Sequence, residues 1–252
     1  MYARHRKAKQ GERSFSAQRC YRVRAACIAA KYSRATGTYT MKTWLISISV
    51  ATALISGGTQ AAGKAAKGDA AAGEAKAAVC LACHGPNGNA LVPTWPKLAG
   101  QHARYIYKQL MDFKSGARAN AQMSPQVIPL SEQDFRNIAA YYATQQQTPG
   151  TTDPAVAELG KRIYRGGNPA TGLAACTGCH GPTGTGLGAA KFPRIAGQHA
   201  QYLDSTLKGF RAGTRANDPN GMMRDVAGRM SDEEIAAVSQ FIQGLTDQPT
   251  TD

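Results

Sequence analysis

Apolar residues recur at helical spacing in two stretches of the chain, each opened by a serine with an acidic residue three positions later. Ser131 opens the first stretch and Ser231 the second. The apolar positions are Phe135, Ile138, Ala139 and Tyr142 in the first and Ile235, Val238, Phe241 and Ile242 in the second. This pattern is typical of an amphipathic helix that begins with a capping box. The run from Tyr105 to Phe113 predicts a further helix, and no convincing strand pattern occurs.

The two stretches end two copies of a longer repeat. Residues 95–103 match residues 192–200, and residues 113–120 match residues 210–217. Only two long copies exist, so the pattern indicates a tandem duplication of one domain rather than a solenoid. Residues 145–154 are rich in Gln, Thr, Pro and Gly and have the character of a linker. We therefore predict an all-α protein with one domain over 62–148 and a second over 149–252.

Each copy also contains the pentapeptide C-x-x-C-H, the attachment signature of a c-type haem. Two thiols three positions apart fall on one side of a helical turn, where both can form thioethers with one edge of a porphyrin. The following histidine then projects its imidazole toward the iron. The residues concerned are Cys80, Cys83 and His84 in the first copy and Cys176, Cys179 and His180 in the second. The motifs predict two covalently bound haem c groups with His84 and His180 as proximal ligands.

Two other uses of a C-x-x-C motif do not fit its surroundings. A structural zinc site would need further Cys or His ligands at suitable spacing. A dithiol oxidoreductase would need a βαβ pattern around the motif. Neither is found, and the six cysteines leave none over for a disulfide after residue 62.

The formal charge of +14 is concentrated at the front of the chain. Residues 1–40 hold ten Lys or Arg and one acidic residue, whereas residues 62–252 hold nineteen basic and fifteen acidic residues. Because the charge of the later part is modest, it gives no case for binding nucleic acid.

A secretory signal peptide is predicted over residues 41–61. It begins with Met41 and Lys42, continues with an apolar run from Trp44 to Ile55, and ends in small residues, which predicts cleavage after Ala61. The run is short for a spanning helix, which needs about 20 apolar residues. Export also suits a protein that carries haem c, so we expect a periplasmic location. Residues 1–40 form a basic upstream extension that we do not expect in the mature protein.

A methionine in each copy is the predicted sixth ligand of the iron. Met123 lies eight residues before Ser131, and Met223 lies eight residues before Ser231. A His/Met pair gives an electron-transfer haem of raised potential, while an open position gives ligand or peroxide chemistry. Met222 is the nearest rival of Met223, and Met230 is a weaker one. Met111 is expected to fill the core.

Two further pairs of repeated residues are candidates for roles near the iron. His102 and His199 follow the proximal histidines closely and favour a place at a helix N-terminus or domain interface over a ligand role. The carbonyls of Pro96 and Pro193 are candidates to accept a hydrogen bond from Nδ1 of the proximal histidine, which would fix the ring. The alternative is that both are simply loop prolines.

Together these residues resemble the cytochrome c4 family of periplasmic dihaem cytochromes, from about Gly68 to Leu245. The resemblance rests on both C-x-x-C-H motifs, both P-[KR]-[LI]-A-G-Q segments, both G-x-R-A-N segments, Met123 and Met223. It implies two class I cytochrome c domains related by a pseudo-twofold axis, with facing haems and His/Met ligation. Residues 1–40 and the adjacent Met222–Met223 pair depart from the family pattern.

The resemblance also implies a function as an electron carrier. Its partners would be a respiratory electron donor and a haem–copper terminal oxidase, with loose peripheral association with the inner membrane. A dihaem subunit of a membrane-bound oxidase or dehydrogenase complex is the alternative. A dihaem peroxidase-type enzyme is less favoured, because it would need one domain without its methionine.

Overall fold

A computed structural model describes residues 67–246, and the upstream extension and the predicted signal peptide lie outside this part. The described residues form ten α-helices: α1 Ala70–Ala77, α2 Leu81–His84, α3 Ala103–Ser115, α4 Met123–Val127, α5 Glu132–Ala143, α6 Pro154–Gly166, α7 Thr177–His180, α8 Ala200–Arg211, α9 Met222–Gly228 and α10 Asp232–Gln243. Short 3₁₀ turns lie at Ala78–Cys80, Pro86–Gly88, Gly188–Ala190 and Pro219–Gly221. Across 67–246, β-pairing is limited to two isolated bridges, Asn168 with Leu173 and Leu187 with Phe192. None of these helices is long and apolar enough to cross a membrane.

Helices α1 to α5 and α6 to α10 follow one another in the same order, and their lengths are similar except that α1 has 8 residues and α6 has 13. This arrangement confirms the predicted all-α fold of two tandem domains. No helix occurs between Ala143 and Pro154, where the sequence predicts the linker.

The terminal helix of each domain begins with the predicted capping box. Ser131 Oγ accepts a hydrogen bond from Asp134 N at 3.1 Å, and Asp134 Oδ2 accepts one from Ser131 N at 2.9 Å. Ser231 and Glu234 form the same pair of bonds at 3.1 and 2.9 Å. Both bonds satisfy donors that a helix otherwise leaves without partners.

A glycine allows the first and last helices of each domain to cross closely. A Cβ atom on Gly73 of α1 would lie 2.0 Å from Asn137 O of α5. A Cβ atom on Gly160 of α6 would lie 2.2 Å from Ala237 O of α10. Since real Cβ atoms do not approach a carbonyl oxygen this closely, only glycine fits at either crossing.

Each domain has its own apolar core. In the second domain, α6, α8 and α10 enclose a single cluster built around Tyr164, Phe210 and Ile235. In the first domain, the core divides into a cluster around Tyr142 and a smaller one around Phe135. Hydrogen bonds between polar groups join the two domains.

The structure adds one element per domain that the sequence pattern did not predict. The segments that carry Met123 and Met223 each form a short helix, α4 and α9. Helices of this length are marginal alone and depend on the packing of the surrounding domain.

Candidate haem-binding sites

The histidine of each C-x-x-C-H motif ends a single turn of helix and points into its domain. His84 and His180 are both buried. His84 Nδ1 lies 2.9 Å from Pro96 O, and His180 Nδ1 lies 2.9 Å from Pro193 O. With Nδ1 as the donor to the carbonyl, the ring is fixed and Nε2 is left available to a metal.

Both imidazoles are held in the form that a metal requires. Burial lowers the pKa of His84 and of His180, and the hydrogen bond to the proline carbonyl only partly opposes this effect. The neutral ring therefore dominates near neutral pH, and a neutral imidazole is the form that ligates iron.

In each motif the first cysteine is less exposed than the second. Cys80 and Cys176 are partly buried against the core, while Cys83 and Cys179 are exposed. None of the four forms a disulfide. Burial raises the pKa of Cys80, and it raises the pKa of Cys176 to about 11. The second cysteine of each motif thus marks where the site reaches the surface.

Met123 is fixed at the start of α4 by the side chain of Asn120. Asn120 Oδ1 accepts hydrogen bonds from Gln122 N at 3.0 Å and from Met123 N at 2.8 Å. The Met123 side chain is partly buried and packs against the cluster that contains Phe113 and Phe135. Met111 packs on the same cluster, as a residue that fills the core would.

The three methionines of α9 and its end have different surroundings. Met223 is partly buried and packs against the second core, whereas the side chain of Met222 is 39% exposed. Met230 is fully part of that core.

Arg224, the residue after Met223, is held in place by Asp218, whose carboxylate accepts from Arg224 N at 3.0 Å and from Arg224 Nε at 2.9 Å.

The G-Q dipeptide that follows each proximal-histidine loop pairs with the other domain. Gln198 Nε2 donates to Lys97 O at 2.9 Å, and Gln198 Oε1 accepts from Lys97 N at 2.9 Å. Gln101 makes the same two bonds to Arg194: its Nε2 donates to Arg194 O at 2.8 Å, and its Oε1 accepts from Arg194 N at 3.0 Å. Because residues 97 and 101 occupy the same repeat positions as 194 and 198, the two domains are related by a pseudo-twofold axis.

His102 and His199 also make contacts across this interface. His102 Nε2 lies 2.8 Å from Thr185 O, and His199 Nε2 lies 2.8 Å from Ala90 O. Each ring thus contacts the backbone of the loop that follows the other domain's C-x-x-C-H motif.

The G-x-R-A-N segments supply a second reciprocal contact. Arg118 Nη2 donates to Tyr202 OH at 3.1 Å, and Arg215 Nη2 donates to Tyr105 OH at 3.0 Å. Burial would raise the pKa of Tyr202, but the charges of Arg118 and then Arg215 outweigh it and lower the pKa to about 7. The two arginines therefore place positive charge next to Tyr202 at the domain interface.

Sequence reasoning did not assign these interface residues. Gln101, Gln198 and the arginine–tyrosine pairs lie in segments that are repeated nearly unchanged in both halves. The near-identity of these segments in the two halves was the signal that could have found them, because positions that only fill a helix core accept a wider range of side chains. Asp218 was also missed, because its counterpart in the first domain is Ala121, which has no carboxylate.

The described residues fit a covalently attached haem in each domain. Each domain offers two thiols that are free of disulfides, an imidazole with Nε2 available, and a methionine packed against an apolar cluster of that domain. Thioether bonds, a proximal histidine and a methionine are together the protein ligands of an electron-transfer haem c.

Comparison with known proteins shows the family to which these domains belong. The family model for cytochrome c matches the chain twice, over residues 65–146 and 157–246. Cytochrome c4 of Thiocapsa roseopersicina is 63% identical over 169 residues, which cover 67% of this chain and 88% of that protein. The crystal structure of reduced recombinant cytochrome c4 from Pseudomonas stutzeri matches with a TM-score of 0.70 and 46% identity, covering 71% of this chain and 100% of that chain.

A more distant relative has a different name. The thiosulfate dehydrogenase electron acceptor of Stutzerimonas stutzeri is 36% identical over 208 residues, 80% of this chain and 94% of that protein. The fold and the two motifs therefore define a c-type cytochrome with two haem-binding domains. The chain belongs to the cytochrome c4 family, and it is a dihaem electron carrier with two covalently bound haem c groups.

Proposed function

We propose that this protein carries electrons in the periplasm from a respiratory donor to a haem–copper terminal oxidase. The observation that supports this most is that each domain pairs a buried histidine, held by a proline carbonyl, with a methionine packed on its core. Two irons with both axial positions filled suit electron transfer better than catalysis. The apolar run before Ala61 supports export, and attachment to the membrane surface would be peripheral.

The axial ligands of this proposal are His84 with Met123 and His180 with Met223. The thioethers would form at Cys80 and Cys83 in the first domain and at Cys176 and Cys179 in the second. Packing on the second core supports Met223 over the exposed Met222. Met230 is already enclosed in that core.

When bound, each haem supplies an iron that alternates between the ferric and ferrous states. The chain's own residues position and insulate that iron. Pro96 O and Pro193 O orient the imidazoles, and their hydrogen bonds raise the basicity of the ring and so tune the potential. The two cores exclude water, and the hydrogen-bonded interface fixes one domain against the other.

The proposal is tested by mixing the ferrous holoprotein with a purified haem–copper oxidase and oxygen. We expect both haems to be oxidised while oxygen is consumed. If the oxidase turns over with a small-molecule donor but leaves the ferrous protein reduced, the proposed acceptor is wrong.

A second donor–acceptor pairing is supported by the relative named a thiosulfate dehydrogenase electron acceptor. In this case the donor would be a thiosulfate dehydrogenase. Reduction of the ferric holoprotein by that enzyme and thiosulfate, at a rate comparable to the oxidase reaction, would support it. The higher identity to cytochrome c4 makes this the second candidate.

A further inference from the structure

The surface around the first C-x-x-C-H motif differs from the surface around the second. We define the first rim as residues 77–96 and 119–131, the two segments that carry His84 and Met123. The second rim is its counterpart in the repeat, residues 173–193 and 216–231. All four segments belong to the described part of the chain.

The first rim contains no Asp, Glu, Lys or Arg. The second rim contains five such residues, namely Lys191, Asp218, Arg224, Asp225 and Arg229. Except for the buried Asp218, these side chains are exposed. The duplicated domains therefore differ at the surface next to the haem site, while the glutamine and arginine–tyrosine contacts between them are matched.

Apolar side chains stand exposed on the first rim where the second has smaller or polar ones. Val79 is 62% exposed, Leu81 is 40% exposed and Ile128 is 64% exposed. Their counterparts in the repeat are Ala175, Thr177 and Gly228. Val79 and Leu81 flank Cys80, and Leu81 lies two residues before the exposed Cys83, so this apolar surface adjoins the edge of the site.

We propose that the first rim is the docking face for a redox protein whose own contact surface is apolar and uncharged. This inference rests on the proposed function as an electron carrier. A charged partner surface would lose water on docking, which is costly, and the two rim segments offer it no charge of their own; Lys114 of α3 reaches only the edge of the rim, where it donates to Leu130 O. An apolar surface would gain from burial against Val79, Leu81 and Ile128.

A protein partner fits this rim better than a membrane. Surface-binding membrane segments combine apolar residues with Lys or Arg, and the first rim has neither of these basic residues. A partner on a rim that adjoins the exposed Cys83, a predicted thioether position, would lie next to the first haem site, which would shorten the transfer distance.

The test uses the holoprotein on a gold electrode coated with a methyl-terminated alkanethiol monolayer, which stands in for an uncharged apolar surface. The first-rim variant carries Leu81→Lys with Ile128→Lys. The matched control carries Thr177→Lys with Gly228→Lys at the same repeat positions, so both gain the same charge. Gly228 has room for a side chain, because no atom lies within 4 Å of its Cβ position.

We expect the first-rim variant to lose electroactive coverage by about tenfold or more, and the control to keep the wild-type coverage. Wild-type coverage should change less than about twofold between roughly 0.01 and 1 M ionic strength, over which the Debye length falls from about 30 to 3 Å. An equal loss in the control, no loss in the first-rim variant, or desorption of the wild type at high salt would overturn the proposal.

Two further measurements decide between occupants. If sedimentation shows a wild-type dimer that the first-rim variant abolishes, the rim binds a second copy and the proposal is wrong. If neutral phosphatidylcholine vesicles bind the wild type but not the first-rim variant, the rim binds a membrane and the proposal is also wrong. Failure of the carrier function itself would appear separately, as a high-spin haem or as no oxidation of the wild type by the oxidase.

Discussion

Gln198 binds both the backbone N–H and the backbone C=O of Lys97 with its side-chain amide, across the boundary between the two domains. Gln101 binds the backbone N–H and C=O of Arg194 in the same way. Both glutamines are buried. The two domains therefore meet through a symmetric pair of two-bond contacts rather than through a shared apolar core.

Replacing Gln198 with alanine should weaken the interface. The change leaves the N–H and C=O of Lys97 without their partner, which costs about 1–3 kcal/mol for a buried group. Urea unfolding followed by haem absorbance should show the two domains separating into distinct transitions. Gln201→Ala, at an exposed position three residues later, is the control and should change the free energy of unfolding by less than about 0.5 kcal/mol. A wild-type-like transition for Gln198→Ala would contradict this role.

Replacing Gly160 with alanine should destabilise the second domain. The new Cβ would lie 2.2 Å from Ala237 O, so α6 and α10 must move apart. Overpacking of this kind costs about 1–3 kcal/mol. Gly166→Ala is the control in the same helix, since nothing lies within 4 Å of its Cβ position. Thermal unfolding should show a lower midpoint for the first variant only, and equal midpoints would show that the crossing is not tight.

The capping boxes illustrate what the sequence could predict. Ser131 and Ser231 were placed as helix starts from local pattern alone, because a cap needs only residues three positions apart. The positions of Met123 and Met223 as ligand candidates came from comparing the two repeats. Helices α4 and α9 were missed because segments this short have no periodicity to detect. The partners of Gln198 and Arg118 were missed because contacts between domains depend on how the domains are placed, which the local pattern does not contain.

Asp218 should make the second site more sensitive to acid than the first. Burial would raise the pKa of its carboxyl, but the hydrogen bonds from Arg224 N and the Arg224 guanidinium outweigh burial and hold the pKa below its usual range. A group with a lowered pKa in the folded state stabilises above its unfolded pKa, and this contribution is lost as pH falls through the folded pKa. The clamp next to Met223 should therefore be intact at neutral pH and weaken in acid.

Asp218→Asn provides the measurement for this clamp. The variant should lose part of the Met ligation of the second haem at neutral pH and should show a shallower acid dependence than the wild type. The iron–sulfur charge-transfer band of the ferric protein reports that ligation. In the first domain, Asn120→Ala removes the hydrogen bond from Met123 N and should affect the first haem instead. Identical acid profiles for the wild type and Asp218→Asn would remove Asp218 from this role.

Preventing haem attachment in one domain should unfold mainly that domain. Cys176→Ser with Cys179→Ser removes both thioethers of the second site, and a group that binds only the native state adds to its stability. Limited proteolysis should then cut the second domain first, while the visible spectrum of the first haem persists. A second domain that resists proteolysis as well as in the wild type would show that the haem adds little to its stability.

The ferric visible spectrum of the holoprotein tests the central claim most directly. The account predicts two low-spin haems with the iron–methionine band, of which Met123→Ala and Met223→Ala each lose one. Met222→Ala is the matched control beside Met223 and should leave the spectrum unchanged. A high-spin haem in the wild type, or loss of the second band in Met222→Ala rather than Met223→Ala, would contradict the account.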